Sequence, residues 1–147
     1  MDNYYIDKVE IALLKGKLMD PIRADKPYQT IATEDIGAFA ALAFSCPRDF
    51  VGLELEIAGS ELTNPQAAQV FSPRKTGQVP EAANADGPAG SRQGIYQMFH
   101  WFNADGFRAN IPELRRSYPE VRLQTLEEWL RAEGWHKRAR RIVPPKA

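Results

Sequence analysis

Cysteine and histidine, the residues most often used for disulfides and transition-metal sites, are scarce in this chain. Cys46 is the single cysteine in 147 residues, so no internal disulfide and no multi-thiolate zinc site can form, which fits a reducing cytosol. His100 and His136 are far apart, and neither has a carboxylate or thiolate at a familiar ligand spacing. The sequence therefore predicts a cytoplasmic protein without a metal site. It also predicts Cys46 as a small buried residue and His100 as a helix-surface or core-edge residue.

An excess of one charge and a long apolar run are also missing. The chain has 19 basic and 19 acidic residues, so no net field favours nucleic acid or an anionic membrane as a partner. The longest apolar run, Ile36 to Phe44, contains a glycine and is far shorter than the roughly 20 residues that span a bilayer. A composition of 44% apolar and 26% charged residues indicates a soluble globular protein.

A glycine-rich phosphate loop is the third absence. The run from Thr30 to Leu62 has the strand–helix–strand pattern of a dinucleotide-binding fold, but no such loop precedes it. Gly87, Gly90 and Gly94 have a similar spacing, yet no strand leads into them and a proline lies among them, so a linker is the favoured interpretation. We therefore expect the chain to correspond to the back half of such a fold.

Two patterns resemble functional sites, but a structural explanation is favoured for each. Tyr4 and Lys8 have the spacing of a hydride-transfer acid pair, but an i,i+4 contact on the first turn of the chain is favoured. The basic tail could touch phosphate, although a solvated tail is favoured in a neutral protein. No catalytic residue is predicted. The basic side chains of the tail are Lys137, Arg138, Arg140 and Arg141.

Residues 1–80 are predicted to alternate helices and strands. Asp7 to Leu18 predicts a helix with Gly16 as a plausible stop, and Tyr28 to Thr33 a strand or extended arm. Thr33 is expected to cap a helix that ends at Pro47 and buries Phe39 and Phe44. Leu53 to Ile57 alternates with glutamates as in a half-buried strand. The sequence Thr63-Asn-Pro-Gln66 has the form of a capping box, for a helix that Pro73 stops.

The second half is predicted to be mostly helical. Residues 81–94 are rich in turn formers and predict a flexible linker. Residues 95–135 begin with an aromatic helix that ends near Asn103, followed by capping boxes at Asn110–Glu113 and Thr125–Glu128. The last helix is expected to bury Leu126, Trp129 and Leu130, and residues 136–147 form the basic tail. The aromatic cluster consists of Tyr96, Met98, Phe99, Trp101, Phe102 and Phe107.

Several ordered segments resemble the NmrA-like family, which are atypical short-chain dehydrogenase relatives. MDNYY is similar to the family's segment near the nicotinamide, and ATEDIGAFAALAF to its strand-to-helix stretch with Asp35, Ile36 and Gly37. GLELEIAGSELTNPQAAQVFS resembles the next strand and helix. The family's C-terminal end is similar to MFHWFNADGFRANIPELRRSYPEVRLQTLEEWLRAEGW. The resemblance covers nearly the whole chain.

The resemblance implies an α/β fold, the C-terminal part of a Rossmann-like fold. It would have a few parallel strands packed with helices, followed by a mostly helical C-terminal region. NAD(P) is the implied cofactor, with Asn3 and Tyr4 on the cofactor side. Because the phosphate-binding half is missing, we expect NADPH to bind this chain more weakly than about 10 μM. Whether the chain is an enzyme stays open, since relatives include both reductases and nicotinamide redox sensors.

Three functions remain open at this stage. The chain can be an NmrA-like fragment without independent catalysis. It can be a substrate- or effector-binding module, with Phe99, Trp101 and Phe102 forming an apolar pocket for a small molecule. It can also be a protein-interaction module that self-associates or pairs with a homologous chain, since a bare sheet edge or apolar face needs cover.

Overall fold

The computed structural model describes residues 1–5, 10, 13, 17–71, 81–84, 93–135 and 137. A 3₁₀-helix at Asp2–Tyr5 opens the chain. Short strands and helices then alternate, and the second half is mainly helical. The strands are β1 (Lys17–Asp20), β2 (Tyr28–Thr30), β3 (Ser60–Leu62) and β4 (Glu81–Asn84); the helices are α1 (Thr33–Ser45), α2 (Pro47–Phe50), α3 (Asn64–Phe71), α4 (Gln93–Ala104), α5 (Ile111–Ser117) and α6 (Leu126–Ala132).

The strands form two separate pairs, so the predicted α/β class is confirmed. Strands β1 and β4 are parallel, with Lys17 opposite Glu81 and Asp20 opposite Asn84. Strands β2 and β3 are antiparallel, with Tyr28 opposite Leu62. None of the helices in the described residues is long and apolar enough to cross a membrane.

The first predicted helix and the predicted linker both overlap these strands. Leu18 lies in β1, which begins at Lys17 directly after Gly16, the predicted stop; Glu10 and Leu13 are helical, and most of the predicted helix falls outside the described residues. Residues 81–84, assigned to the linker, form β4, because their backbone groups pair with β1. Residues 85–92 and 138–147, including most of the glycine pattern and the basic tail, lie outside the described residues.

The predicted strand Leu53–Ile57 is wrong. The segment pairs with no described strand, and β3 begins three residues later at Ser60, opposite Thr30. The alternation nevertheless has a physical basis, since Leu55 and Ile57 are partly buried against the core while the intervening glutamates are exposed. The segment therefore packs by its apolar side without joining a described sheet.

Helix α1 begins at the predicted residue, but its cap and its buried face differ from the prediction. The N-cap is Ala32, which offers no side-chain acceptor; the Asp2 carboxylate accepts the Thr33 N–H at 2.8 Å instead. Phe39 is buried, whereas Phe44 is 87% exposed. Phe39 and Phe44 are five residues apart, which places their side chains about 140° apart around the helix axis. Both rings therefore cannot face one core.

Two corrections concern the end of α1. Cys46, predicted to be a small buried residue, is exposed. Pro47 lies just beyond the end of α1 at Ser45, as predicted, but it also begins α2. A proline suits the first turn of a helix because its missing N–H would have had no partner there.

Buried apolar residues form two clusters. The first joins the chain start, α3 and α6, and contains Met1, Tyr4, Leu13, Leu18, Ala32, Ala67, Ala68, Phe71, Leu126, Trp129, Leu130 and Trp135. The second lies under α1 and α5 and contains Phe39, Ala58, Ala109, Leu114, Val121 and Leu123. The predicted burial of Leu126, Trp129 and Leu130 is confirmed.

Three of the four predicted helix caps are confirmed, at α3, α5 and α6, whereas Thr33 does not cap α1. Thr63 and Gln66 exchange hydrogen bonds at the start of α3, and Thr125 and Glu128 form a complete capping box at α6. At α5 the Asn110 side chain accepts the Glu113 N–H. Helix α4 ends at Ala104, one residue beyond the predicted end.

Candidate functional site

An open cleft of about 620 Å³ lies where β3, the start of α5 and the start of α6 meet. This volume is within the range of small-molecule sites, about 300–1,000 Å³. Its walls combine apolar side chains with several polar ones. The lining residues are Gln29, Gly59, Ser60, Glu61, Leu62, Val70, Ala109, Asn110, Ile111, Pro112, Arg115, Thr125, Leu126 and Glu127.

Gln29 ties the sheet wall of the cleft to the segment before α5. Its Nε2 donates to the Ala109 carbonyl at 2.9 Å, and its Oε1 accepts the Ala109 N–H at 2.9 Å. The same Nε2 donates to Glu61 Oε2 on β3 at 2.7 Å. Because neighbouring strand residues point to opposite faces, Tyr28 is buried with its hydroxyl bonded to Tyr4 of the first cluster, while Gln29 faces the cleft. The Gln29 side-chain amide therefore links β2 to β3 and to the segment at Ala109.

Arg115 supplies the positive charge of the cleft. Its Nη2 donates to the carbonyls of Gly59 at 3.0 Å and Leu123 at 3.2 Å. Its other guanidinium donors have no hydrogen-bond partner among the described residues. The Ser60 hydroxyl also lines the cleft, and no described residue is bonded to it. Two kinds of donor are therefore available to a bound molecule.

The wall around Gly59 allows no side chain. A Cβ at this position would lie 2.3 Å from the Gln124 carbonyl oxygen and 3.4 Å from Asp35 Oδ2. Asp35, which is buried, holds this loop by accepting the Gln124 N–H at 2.9 Å and its Nε2 at 3.2 Å. The close approach of the two backbones therefore requires glycine.

The start of α6 forms a third wall and is fixed by charge-assisted hydrogen bonds. Glu128 Oε2 accepts both the backbone N–H and the hydroxyl of Thr125, each at 2.9 Å. These bonds lower the pKa of Glu128 below its ordinary value because they favour the ionised carboxylate. The nearby guanidinium groups of Arg122 and Arg115 act in the same direction.

The two residues predicted on the cofactor side lie elsewhere. Asn3 is exposed on the opening 3₁₀-helix. Tyr4 is buried, with its hydroxyl 2.6 Å from that of Tyr28 and its ring edge-to-face with Phe71 at 4.8 Å. Neither is among the residues that line the cleft, and their cofactor role stays a prediction. Lys8, at the spacing discussed for Tyr4, is outside the described residues.

The predicted substrate residues on α4 contact one another through their rings. Phe102 lies 6.3 Å from Phe99 and 5.2 Å from Trp101 by ring centroids, and Phe107 contacts both Trp101 and Phe102. Trp101 is 40% and Phe107 49% exposed, so the group forms an aromatic surface. His100 is exposed on the same helix, within the predicted range of environments. None of these residues lines the cleft, and their substrate role stays a prediction.

Local sequence patterns indicate little of the cleft. Gln29 and Glu61 look like ordinary residues on the wet face of short strands, and Arg115 like one of several surface arginines. Among the residues that line the cleft, only the helix caps Asn110 and Thr125 could be identified from local sequence patterns. The cleft depends on contacts between residues about 56 to 89 positions apart, which no local pattern reveals.

Within the part of the chain that the structure describes, no group of three or more His, Cys, Asp or Glu residues could hold a metal ion.

A family model described as the NmrA-like family matches residues 7–130. That match includes the whole cleft and α4. No curated protein matches the chain.

Proposed function

The chain belongs to the NmrA-like family, which is generally NAD(P)-binding, and we propose that it is an effector- or substrate-binding module. It acts in NAD(P)-linked reduction or redox sensing, without catalysis of its own. The cleft between β3, α5 and α6 binds the ligand, which is a small molecule carrying a phosphate or carboxylate. The observation that carries this proposal is the pair of available donors in a preorganised cleft, Arg115 and Ser60.

The guanidinium of Arg115 favours an anionic group, because the two carboxylates that also line the cleft are already bonded, Glu61 to Gln29 and Glu127 to Arg131. A guanidinium is always charged and presents several donors in a fixed plane, which matches the oxygens of phosphate and carboxylate. Two of the carbonyls beside it already hold Nη2, so the guanidinium is oriented before a ligand arrives. Preorganisation of this kind lowers the entropy cost of binding. The apolar side chains of Leu62, Val70 and Ile111 supply contact area for the remainder of the ligand.

The absence of independent catalysis is supported by the position of Tyr4. A phenol that transfers a proton must reach the substrate, but this hydroxyl is bonded to Tyr28 inside the protein. Its ring is held by Phe71 in the first cluster. Releasing Tyr4 would therefore disrupt the core, which favours a structural role for this tyrosine.

Titration with nicotinamide mononucleotide, which has one phosphate, tests the proposal, with inorganic phosphate as the minimal probe. We expect saturable binding by calorimetry and at least a tenfold loss of affinity in Arg115→Gln, about 1.4 kcal/mol. Arg116→Gln is the matched control, because Arg116 is adjacent on α5 but is paired with Glu113 and does not line the cleft. Binding that survives in Arg115→Gln, or is lost equally in the control, would contradict the proposal.

Two further measurements keep the test interpretable. Arg115 also supports Gly59 and Leu123, so Ser60→Ala is included as a smaller change that removes only a hydroxyl. Urea unfolding of each variant separates lost binding from lost structure. NADPH is expected to bind more weakly than about 10 μM, since one guanidinium cannot neutralise the three charged groups of this dinucleotide. Tighter NADPH binding would indicate a dinucleotide site outside this cleft.

A second candidate function is binding of an apolar molecule at the aromatic surface of α4. The favouring observation is the exposure of Met98, Trp101 and Phe107, each 40–49%; the rings of Trp101 and Phe107 also contact each other. Trp101→Ala should then reduce the fluorescence of a bound anilinonaphthalene dye at least severalfold. His100→Ala, exposed on the same helix, is the control. Equal dye fluorescence in the wild type and Trp101→Ala would exclude this candidate.

A further inference from the structure

The outward face of α1 is apolar, and the described part of the chain leaves it exposed. Between Ile36 and Pro47 the sequence contains no charged side chain. Phe44 is 87% and Ile36 44% exposed, and Val51, just after α2, is 84% exposed. Surface helices normally place polar residues on the side away from the core, so this face is unusual for a monomer. Its exposed positions are Ile36, Gly37, Ala40, Ala41 and Phe44.

Gly37 in the middle of this face has no explanation within the described chain. Glycine weakens a helix interior relative to alanine. Gly37 has no positive φ, and a Cβ added there would meet no atom of the described chain within 4 Å. Neither backbone conformation nor internal packing therefore requires it. A glycine on an exposed helix face is explained when another molecule approaches the backbone closely.

We propose that α1 pairs with α1 of a second copy of this chain, antiparallel across a two-fold axis. Phe44 of each copy packs into the space above Gly37 of the other, and Ala40 and Ala41 meet at the axis. The face is self-complementary. In the antiparallel pair each residue lies opposite the residue of the other copy whose number brings the sum to 81, so every contact occurs twice, as in a two-fold interface. A bulky side chain then meets a glycine, and two alanines permit close approach of the helices.

Charge at the helix ends agrees with the antiparallel direction. Glu34, exposed at the start of α1, would lie near the end of the other α1, where Arg48 follows. Arg48 is exposed and makes no ion pair with any described residue of its own chain. In a parallel pair the two glutamates would instead lie side by side. Opposite charges at both ends favour the antiparallel register.

The exposed area is sufficient for a weak specific dimer. A specific interface requires roughly 500 Å² on each partner, and a phenylalanine contributes about 150–250 Å². Phe44 supplies at most about half of that area, the exposed glycine and alanines add the central contact, and Ile36 adds contact at the ends. We expect a monomer–dimer equilibrium that depends on protein concentration rather than a permanent dimer.

Sedimentation velocity over a range of concentrations tests the pairing. The wild-type chain should show reversible dimerisation, Phe44→Ser should be monomeric throughout, and Gly37→Gln should weaken the dimer at least tenfold. Gly37→Gln is informative because glutamine favours helix and has open space in the monomer. Ala38→Gln, exposed but about 100° around the helix from Gly37, is the control and should dimerise like the wild type. A wild type that stays monomeric, or unchanged dimerisation in Phe44→Ser or Gly37→Gln, would overturn the proposal.

The direction of the pair can be measured with the natural cysteine. Cys46 is exposed at the end of α1, and Thr33 is exposed at its start. In the antiparallel pair Thr33→Cys should cross-link to Cys46 of the other copy on mild oxidation, identified by mass spectrometry of the joined peptides. Efficient Cys46–Cys46 cross-linking in the wild-type dimer would overturn the antiparallel arrangement.

Discussion

The two core clusters are stabilised in different ways. The first is an array of interlocking rings: Phe71 lies edge-to-face with Tyr4 at 4.8 Å and with Trp135 at 5.5 Å. The Trp135 Nε1–H also donates to the Phe71 carbonyl at 3.0 Å. Among the described residues the second cluster has one fully buried aromatic, Phe39. Around it, polar side chains hold the loops together.

The polar contacts of the second cluster span most of the chain. Asp35 binds the backbone and side chain of Gln124, and Gln29 binds both backbone groups of Ala109. The cleft opens where the ring array ends and these polar contacts begin, with Leu126 from the first cluster and Ala109 from the second in its walls. The first cluster therefore provides stability through buried area, while the second positions the polar groups of the site.

The largest effect should come from breaking the ring array. Phe71→Ala removes a side chain that is 2% exposed and contacts two other aromatic residues, so we expect a loss of about 3–5 kcal/mol in the free energy of unfolding. Urea unfolding followed by near-ultraviolet circular dichroism measures it. A loss below about 1 kcal/mol would show that the first cluster is not the main source of stability.

The wall of the cleft should be next in sensitivity. Gly59→Ala places a methyl group against the Gln124 carbonyl, and overpacking of this kind costs about 1–3 kcal/mol. Gly37→Ala is the matched control, because its methyl meets no atom of the described chain and alanine favours helix by up to about 1 kcal/mol. Both variants are compared by urea unfolding at low protein concentration, where the α1 face is unpaired. Equal effects at the two glycines would mean that the Gly59 contact is misplaced.

The capping box at the cleft predicts a smaller, pH-dependent effect. Thr125→Ala should cost about 1 kcal/mol at neutral pH. The lowered pKa of Glu128 means that its contribution is present above the ordinary value of 4.5 and is lost as pH falls through the folded-state pKa. Unfolding measured at pH 7 and at about pH 3 should therefore show a smaller difference between variant and wild type in acid. The same difference at both pH values would contradict the assignment to Glu128.

The smallest effect is expected on the outside of α1. Phe44→Ala should change the unfolding free energy of the monomer by less than about 0.5 kcal/mol, because the side chain is 87% exposed. Phe39→Ala on the same helix should cost about 3–5 kcal/mol, because that ring is buried against Tyr118 and the rest of the second cluster. Measurements at low protein concentration keep dimerisation out of the comparison. Similar losses at both positions would place Phe44 in the core.

Helix caps formed by residues close in the sequence were predictable, and long-range packing was not. The caps at Thr63, Asn110 and Thr125 depend on residues three apart, so the sequence identified them. The burial of Phe44 was predicted wrongly, because an apolar run does not show which part of a helix has a partner. The strand predicted at Leu53–Ile57 failed for a similar reason, since alternation indicates two faces but does not supply a neighbouring strand.

The cleft shows the same limit for the site. The Gln29–Ala109 and Asp35–Gln124 contacts join residues 80 and 89 positions apart. Nothing local distinguishes Gln29 or Arg115 from other surface residues before the fold brings these segments together. The family, by contrast, was predictable because its motifs recur in order along the chain, and the match to residues 7–130 confirms it.

The most direct test of the proposed site is an amide chemical-shift titration of the isotopically labelled chain with nicotinamide mononucleotide. We expect saturable shifts of the Gly59, Ser60 and Asn110 amides, with the Trp101 indole unchanged as the internal reference on the aromatic surface. Arg115→Gln should abolish the shifts at these three amides, whereas Arg116→Gln should preserve them. Shifts confined to Trp101 and its neighbours, or no saturable change at the cleft, would contradict the account.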